Sequence, residues 1–170
     1  PPLVVDYQSI EGLALRFGAG DDAVRQIDAA TVDDLSLDLG NGFNTVDLLN
    51  LGPATQVMTG IGDDTVSVRS DTDAAVLTIA TGAGADRVVV RELAAGNQLS
   101  IDTGSGSDQI QVAGENLPAT ARIALDGGAD ADTLRFSSGG MPIDPPVPTP
   151  GDGSVKVDGA AYGSVDYQRI

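Results

Sequence analysis

A turn of the form Gly-x-Gly-x-Asp recurs along this chain, and no other feature limits its possible folds so strongly. The copies read GAGDDAV from Gly18, GNGFNTV from Gly40, GIGDDTV from Gly60, GAGADRV from Gly82, GSGSDQI from Gly104 and a drifted GADADTL from Gly128. Their first glycines are 22, 20, 22, 22 and 24 residues apart. A worn seventh copy is read in Thr149 to Val155, with Gly153 where the acid should be. A near-constant period of this length is the mark of a solenoid, in which each repeat buries its apolar face only against its neighbours.

The residues around each turn fall into columns. Six positions after the first glycine stand Val24, Val46, Val66, Val88, Ile110 and Leu134, and eight after stand Gln26, Leu48, Val68, Val90, Val112 and Phe136. Three before stand Leu15, Leu37, Val57, Ile79, Ile101 and Leu125, and five before stand Leu13, Leu35, Thr55, Leu77, Leu99 and Ile123. Apolar residues two apart on both sides of a turn are the period of half-buried strands, and no segment carries a helical stripe. The predicted fold is all-β: a parallel β-helix, or β-solenoid, of about seven coils with ~22 residues each and a rise of about 4.8 Å per coil.

A longer period overlies the first. Val5-Asp6-Tyr7-Gln8-Ser9-Ile10 returns as Val165-Asp166-Tyr167-Gln168-Arg169-Ile170, an offset of 160 residues. The sequence is therefore expected to be one unit of a tandem array, residues 1–170 forming one solenoid segment. Tyr162 and Tyr167 near this seam either anchor the adjoining unit or plug a wide coil. Residues 141–150 contain five prolines and read as a loop ejected from the stack, since proline cannot donate to a sheet ladder. No terminal cap is legible, which favours end-to-end continuation, covalent or between chains.

Composition narrows the function. With 25 acidic against 9 basic residues the net charge is −16, so a basic nucleic-acid footprint is missing. There is no Cys and no His, which excludes disulfides, thiolate or imidazole metal ligands and the usual nucleophile–base pairs. No apolar run is long enough for a helical membrane span.

The turns resemble the repeats-in-toxin calcium-binding family and related β-solenoid arrays of large secreted bacterial surface proteins. The family pattern is Gly-Gly-x-Gly-x-Asp-x-apolar; here its first position is Phe17, Leu39, Thr59, Thr81 or Thr103, and only Gly127 matches. The period also departs from the family's nonapeptide. The resemblance implies Ca2+ held by Asp22, Asn44, Asp64, Asp86, Asp108 and Asp132 with backbone from Gly18, Gly20, Gly40, Gly42, Gly60, Gly62, Gly82, Gly84, Gly104, Gly106 and Gly128. Asp21, Asp63, Asp102 and Asp126 are further candidate oxygens. Stacked carboxylates one strand spacing apart also ask for a cation or a proton on physical grounds, because they repel by about 3.5 kcal/mol at an effective dielectric of 20. The other reading is metal-free turn capping, in which Asp and Asn accept backbone N–H groups; Asn44 suits it well.

The expected function is a structural repeat of an extracellular bacterial fibre, stalk or sheath, contacting itself end to end. The alternative is a carbohydrate-binding or polysaccharide-degrading β-helix, with cell-surface polysaccharide as partner. Enzymatic activity is not expected, because the carboxylates recur identically in every repeat, as a structural ladder does. Arg69, Arg87 and Arg91 read as surface ion-pairing residues. Thr59, Thr81 and Thr103 share the parity of the buried columns, which argues against a flat ice- or ligand-binding face.

Overall fold

The alternating residues on either side of each glycine turn become the strands of two parallel sheets. The computed structural model describes residues 10–27, 31–141, 143–144, 153–157 and 163–170. The first sheet stacks β1 (Gly12–Arg16), β3 (Asp34–Asp38), β5 (Ala54–Met58), β7 (Val76–Ala80), β9 (Gln98–Asp102), β11 (Arg122–Asp126) and β15 (Ser164–Gln168). The second stacks β2 (Ala23–Ile27), β4 (Thr45–Leu49), β6 (Thr65–Arg69), β8 (Arg87–Glu92), β10 (Gln109–Ala113) and β12 (Thr133–Ser137). Each rung runs from a strand of the first sheet, through the glycine turn, into a strand of the second. A more variable turn then leads to the next rung; one of these holds a short 3-10 helix at Gly114–Asn116.

The register is the one the sequence columns require. Leu35 pairs with Thr55, Leu77 with Leu99, Val66 with Val88, and Ile110 with Leu134. Side chains of both sheets meet in one core, where Leu37, Val46, Leu48, Val66, Ile79, Val88 and Ile110 are buried. Burying such a side chain stabilises the fold by about 1.5–3 kcal/mol, so the stack is held together by its aliphatic columns. At the first and last rungs the columns are only partly covered: Leu13, Leu15, Leu134 and Phe136 pack against the core from its ends. One column needs correcting. A register shift between Arg25 and Ile27 sets Ile27, not Gln26, opposite Leu48. A bulge of this kind lets a polar residue stand in the sequence column without entering the ladder.

Among the described residues six rungs carry both sheets, and the expected seventh is half made. β15 lies parallel on β11 with Ile123 opposite Val165 and Leu125 opposite Tyr167, although 42 residues separate the last pair. The recurring Val-Asp-Tyr-Gln segment at 165–168 is thus the next rung of the first sheet; its earlier copy at 5–8 lies outside the described residues, as does Tyr162. Tyr167 is buried and takes a core position.

Beyond β15 the sheet changes character. β14 (Gly153–Val157) pairs antiparallel with β15, and β13 (Ile143–Asp144) pairs antiparallel with β14. Gly153 to Val155, read as a seventh glycine turn, is therefore strand. Within the proline-rich segment Ile143 and Asp144 belong to β13, while 142 and 145–150 lie outside the described residues. This antiparallel pair covers the edge of β15 where no cap is legible in the sequence.

Candidate functional site

The Asp column sits four residues after each first glycine, at the same parity as the apolar columns six and eight after it, so its side chains turn inward. Asn44, Asp64, Asp86 and Asp108 are each 1 % exposed, and Asp22 and Asp132 at the ends are half buried. From Asn44 to Asp132 each Oδ1 accepts the backbone N–H of the same position in the preceding rung. Asp22 donates to Asn44 at 3.1 Å, Asn44 to Asp64 at 2.7 Å, Asp64 to Asp86 at 2.8 Å, Asp86 to Asp108 at 2.8 Å and Asp108 to Asp132 at 2.9 Å. Here the sequence columns come together as one continuous polar ladder inside the turn edge of the coil.

The glycines make that close approach feasible. Gly84 has φ of +151°, and a Cβ there would collide with the carbonyl oxygen of Gly62; Gly106 stands in the same relation to Gly84. No side chain fits where one turn's backbone lies directly on the next. The turn carbonyls are themselves paired: Gly60 O accepts from Ala83 N at 2.9 Å and Gly82 O from Ser105 N at 2.8 Å.

Asn44 shows what surrounds the second atom of each side chain. Its Nδ2 donates to the carbonyls of Thr59 at 3.0 Å and of Gly40 and Gly42 at 3.3 Å. The repeat gives Asp64 the corresponding carbonyls of Gly60, Gly62 and Thr81. There the second atom is an oxygen, which cannot donate unless it carries a proton. The Oδ2 atoms of Asp64, Asp86, Asp108 and Asp132 are buried without a hydrogen-bond partner. Leaving such an acceptor unsatisfied costs about 1–3 kcal/mol, and more if it is charged. Burial pushes the Asp64, Asp86 and Asp108 carboxyls above the ordinary value of 3.8, outweighing the nearby Thr59, Thr81 and Thr103 hydroxyls and the backbone N–H donors that lower it, while neighbouring carboxylates add to the rise.

No family model matches this chain, and no curated protein or solved structure is significantly similar to it.

The column can be tested against Ca2+, which takes 6–8 oxygens. The rungs of Asp64, Asp86, Asp108 and Asp132 each contribute one unengaged carboxylate oxygen, and the other oxygen is taken by an N–H. No group of three or more acidic residues able to hold a metal occurs among the described residues. At Asn44 an amide N–H already occupies the carbonyl cradle. This donor set falls short of the oxygens that Ca2+ takes.

The other acids divide. Asp21 and Asp63 lie on the outer side of the turns and cap the following rung: Asp21 Oδ1 accepts Phe43 N at 2.9 Å and Asp63 Oδ1 accepts Ala85 N at 2.8 Å. Asn41 does the same for Ile61 N at 3.2 Å. Asp102 is exposed on the outer face of the first sheet. Asp126 binds Arg169 and Gln168. Partial desolvation would raise its carboxyl, but those two donors outweigh it and hold it below the ordinary value.

Thr59, Thr81 and Thr103 are fully buried, so they form no external face. Their hydroxyls make a second internal ladder: Thr59 donates to Thr81 O at 3.1 Å, Thr81 to Thr103 O at 3.0 Å and Thr103 to Gly127 O at 2.9 Å. Sequence reasoning missed the caps of the variable turns. Asn97 is buried and its Oδ1 accepts Ala75 N at 2.9 Å, while Ser70 Oγ accepts Leu51 N at 3.2 Å. Each occurs once, so no column announces it.

Proposed function

We propose that this chain is a structural repeat of an extracellular bacterial fibre, stalk or sheath, whose working property is an axial stack of rungs continued end to end. One observation carries the reading: polar residues that could have formed a site are instead used, rung after rung, to bind the next rung. The Asp, outer Asp/Asn and Thr columns all connect residues 20–24 positions apart. Chemistry on a substrate needs unlike groups converging at one place, and an array of equal groups at equal spacing serves rigidity instead. In this reading the inner column caps turns, and its buried carboxyls at Asp64, Asp86 and Asp108 hold their protons more tightly than free ones do. Stiffening by Ca2+ is the competing account of the same orphan oxygens, and a calcium titration separates the two.

Two copies of the 170-residue sequence joined in tandem test the architecture. Electron microscopy should show a rod whose length grows in proportion to copy number, each set of six parallel rungs adding about 29 Å. Two separate globules on a flexible joint would overturn the continuous-stack reading. Surface location is tested by protease shaving of intact cells that make the parent protein: release of repeat fragments supports it, and complete protection overturns it.

A further inference from the structure

The two sheets point outward with opposite charge, and this is unexpected in a chain whose net charge is −16. On the second sheet five exposed arginines, Arg25, Arg69, Arg87, Arg91 and Arg135, face only Asp47 and Glu92, a net charge of +3. The first sheet presents Asp34, Asp38, Asp102, Asp126 and Asp166 against Arg16, Arg122 and the Arg169 that pairs with Asp126, a net charge of −2. Five of the eight arginines thus lie on one face, while most of the acid sits in the turns and on the other face.

The basic face is densest at β6 and β8. A register shift after Val68 sets Arg69 opposite Glu92 and leaves Arg91 as an extra residue in the strand. Arg69 pairs with Glu92, but Arg87 and Arg91 hold neutral partners: Arg87 bonds Gln111 Oε1 at 3.1 Å and Arg91 Nε bonds Ser67 Oγ at 3.0 Å. Both guanidiniums keep unused donors and an uncompensated charge on a flat sheet. The acidic face is flat as well, its central outward column being Ala14, Ser36, Gln56, Thr78, Ser100 and Ala124, small or flexible enough for close approach.

We propose that the basic outer face of the second sheet docks on the acidic outer face of the first sheet of another copy, side by side. Both surfaces are ladders with the same ~4.8 Å rung spacing, and a stagger of one rung sets Arg25 against Asp34 and Asp38, Arg87 and Arg91 against Asp102, and Arg135 against Asp166. The contact is heterologous: each copy keeps one free face of each sign, so association does not close at a dimer and builds a layer of parallel rods. A face of six five-residue strands covers about 500 Å² per partner. Two such faces bury less than a standard stable interface, so one unit associates weakly and a tandem array gains by multivalency. This contact goes beyond end-to-end continuation and does not depend on it.

Sedimentation velocity on the 170-residue chain tests the proposal, with far-UV circular dichroism and melting confirming that each variant folds. Wild type should self-associate at sub-millimolar concentration in about 0.1 M salt and dissociate in about 1 M salt, where the screening length falls from about 10 Å to about 3 Å. Arg87→Glu with Arg91→Glu should be monomeric, and so should Asp102→Arg with Asp166→Arg. Mixing the two double variants should restore association, because each then meets a face of opposite sign. A monomeric wild type, or association unchanged by both double variants, overturns the proposal. So does a wild type that ignores its own copies but binds polygalacturonate through Arg87 and Arg91, which would assign the basic face to an anionic polysaccharide. Rod length in the two-copy tandem protein is read separately, so failure of the lateral contact leaves the axial stack intact.

Discussion

Asp86→Asn should stabilise this protein at alkaline pH, although it removes an acid from the heart of the glycine-turn motif. In the native column Asp86 Oδ1 accepts the N–H of Asp64, which an amide oxygen would also do, as Asn44 does for Asp22. Its Oδ2 is buried and unpartnered, in a position where Asn44 places an N–H donor among three carbonyls. The substitution therefore trades an orphan acceptor for a satisfied donor. An unsatisfied buried group costs about 1–3 kcal/mol. For a chain of this size 1 kcal/mol corresponds to about 2–4 °C in melting temperature. A rise of roughly 2–12 °C at pH 8 follows, measured by thermal circular dichroism in chelator.

The pH dependence fixes the interpretation. Burial raises the native Asp86 carboxyl above its unfolded value of 3.8, so the folded state holds the proton more tightly. Stability from this group is full below 3.8 and is lost as pH rises through the raised native value. At pH 3, below the unfolded value, the wild-type carboxylic acid donates as the amide does, and the advantage of Asp86→Asn should shrink toward zero. A variant that melts lower than wild type at pH 8 in chelator would refute the argument. So would a gain of equal size at pH 3 and pH 8.

Further outcomes follow from the same ladders. Chelator should leave the melting temperature within about 1 °C, and millimolar Ca2+ should not raise it by tens of degrees; a large calcium-specific rise would return the column to metal binding. Gly84→Ala should cost at least about 1–3 kcal/mol from its positive φ alone, and more from the collision with Gly62, read as a fall in denaturant midpoint. Thr81→Val, which keeps shape but loses the hydroxyl bonded to Thr103 O, should cost about 1 kcal/mol, whereas Thr81→Ser should retain that bond. Replacing Asp64, Asp86 and Asp108 together by Asn should flatten the loss of stability with rising pH, because all three native carboxyls are raised.

The fold was legible because a solenoid writes its core in columns. Leu37, Val57, Ile79 and Ile101 recur at the coil period, and parity alone sends them inward. Parity also places Asp64 and Asp86 inside, but residue type does not say whether a buried carboxylate caps, binds a cation or holds a proton. The decisive residue was Asn44, since an amide in that column works only where its oxygen accepts and its nitrogen donates. Features that occur once left no trace. Asn97 and Ser70 cap variable turns without periodic partners, and β13 and β14 reverse direction in a stretch with no repeat to compare. The half rung at β15 was hidden by the insertion between Leu125 and Tyr167, even though its sequence had been marked by recurrence.

The direction of the inner caps has a consequence for the order of events when the chain emerges from its N-terminus. Asp64 satisfies an amide of the rung before it, and Asp86 does the same for the rung of Asp64. A newly emerged rung therefore finishes its predecessor and not itself. Coupling between nearest neighbours of this kind makes folding a propagating front. The front trails the point of emergence by one rung, and the last rung made stays provisional until another strand, parallel or antiparallel, settles on it.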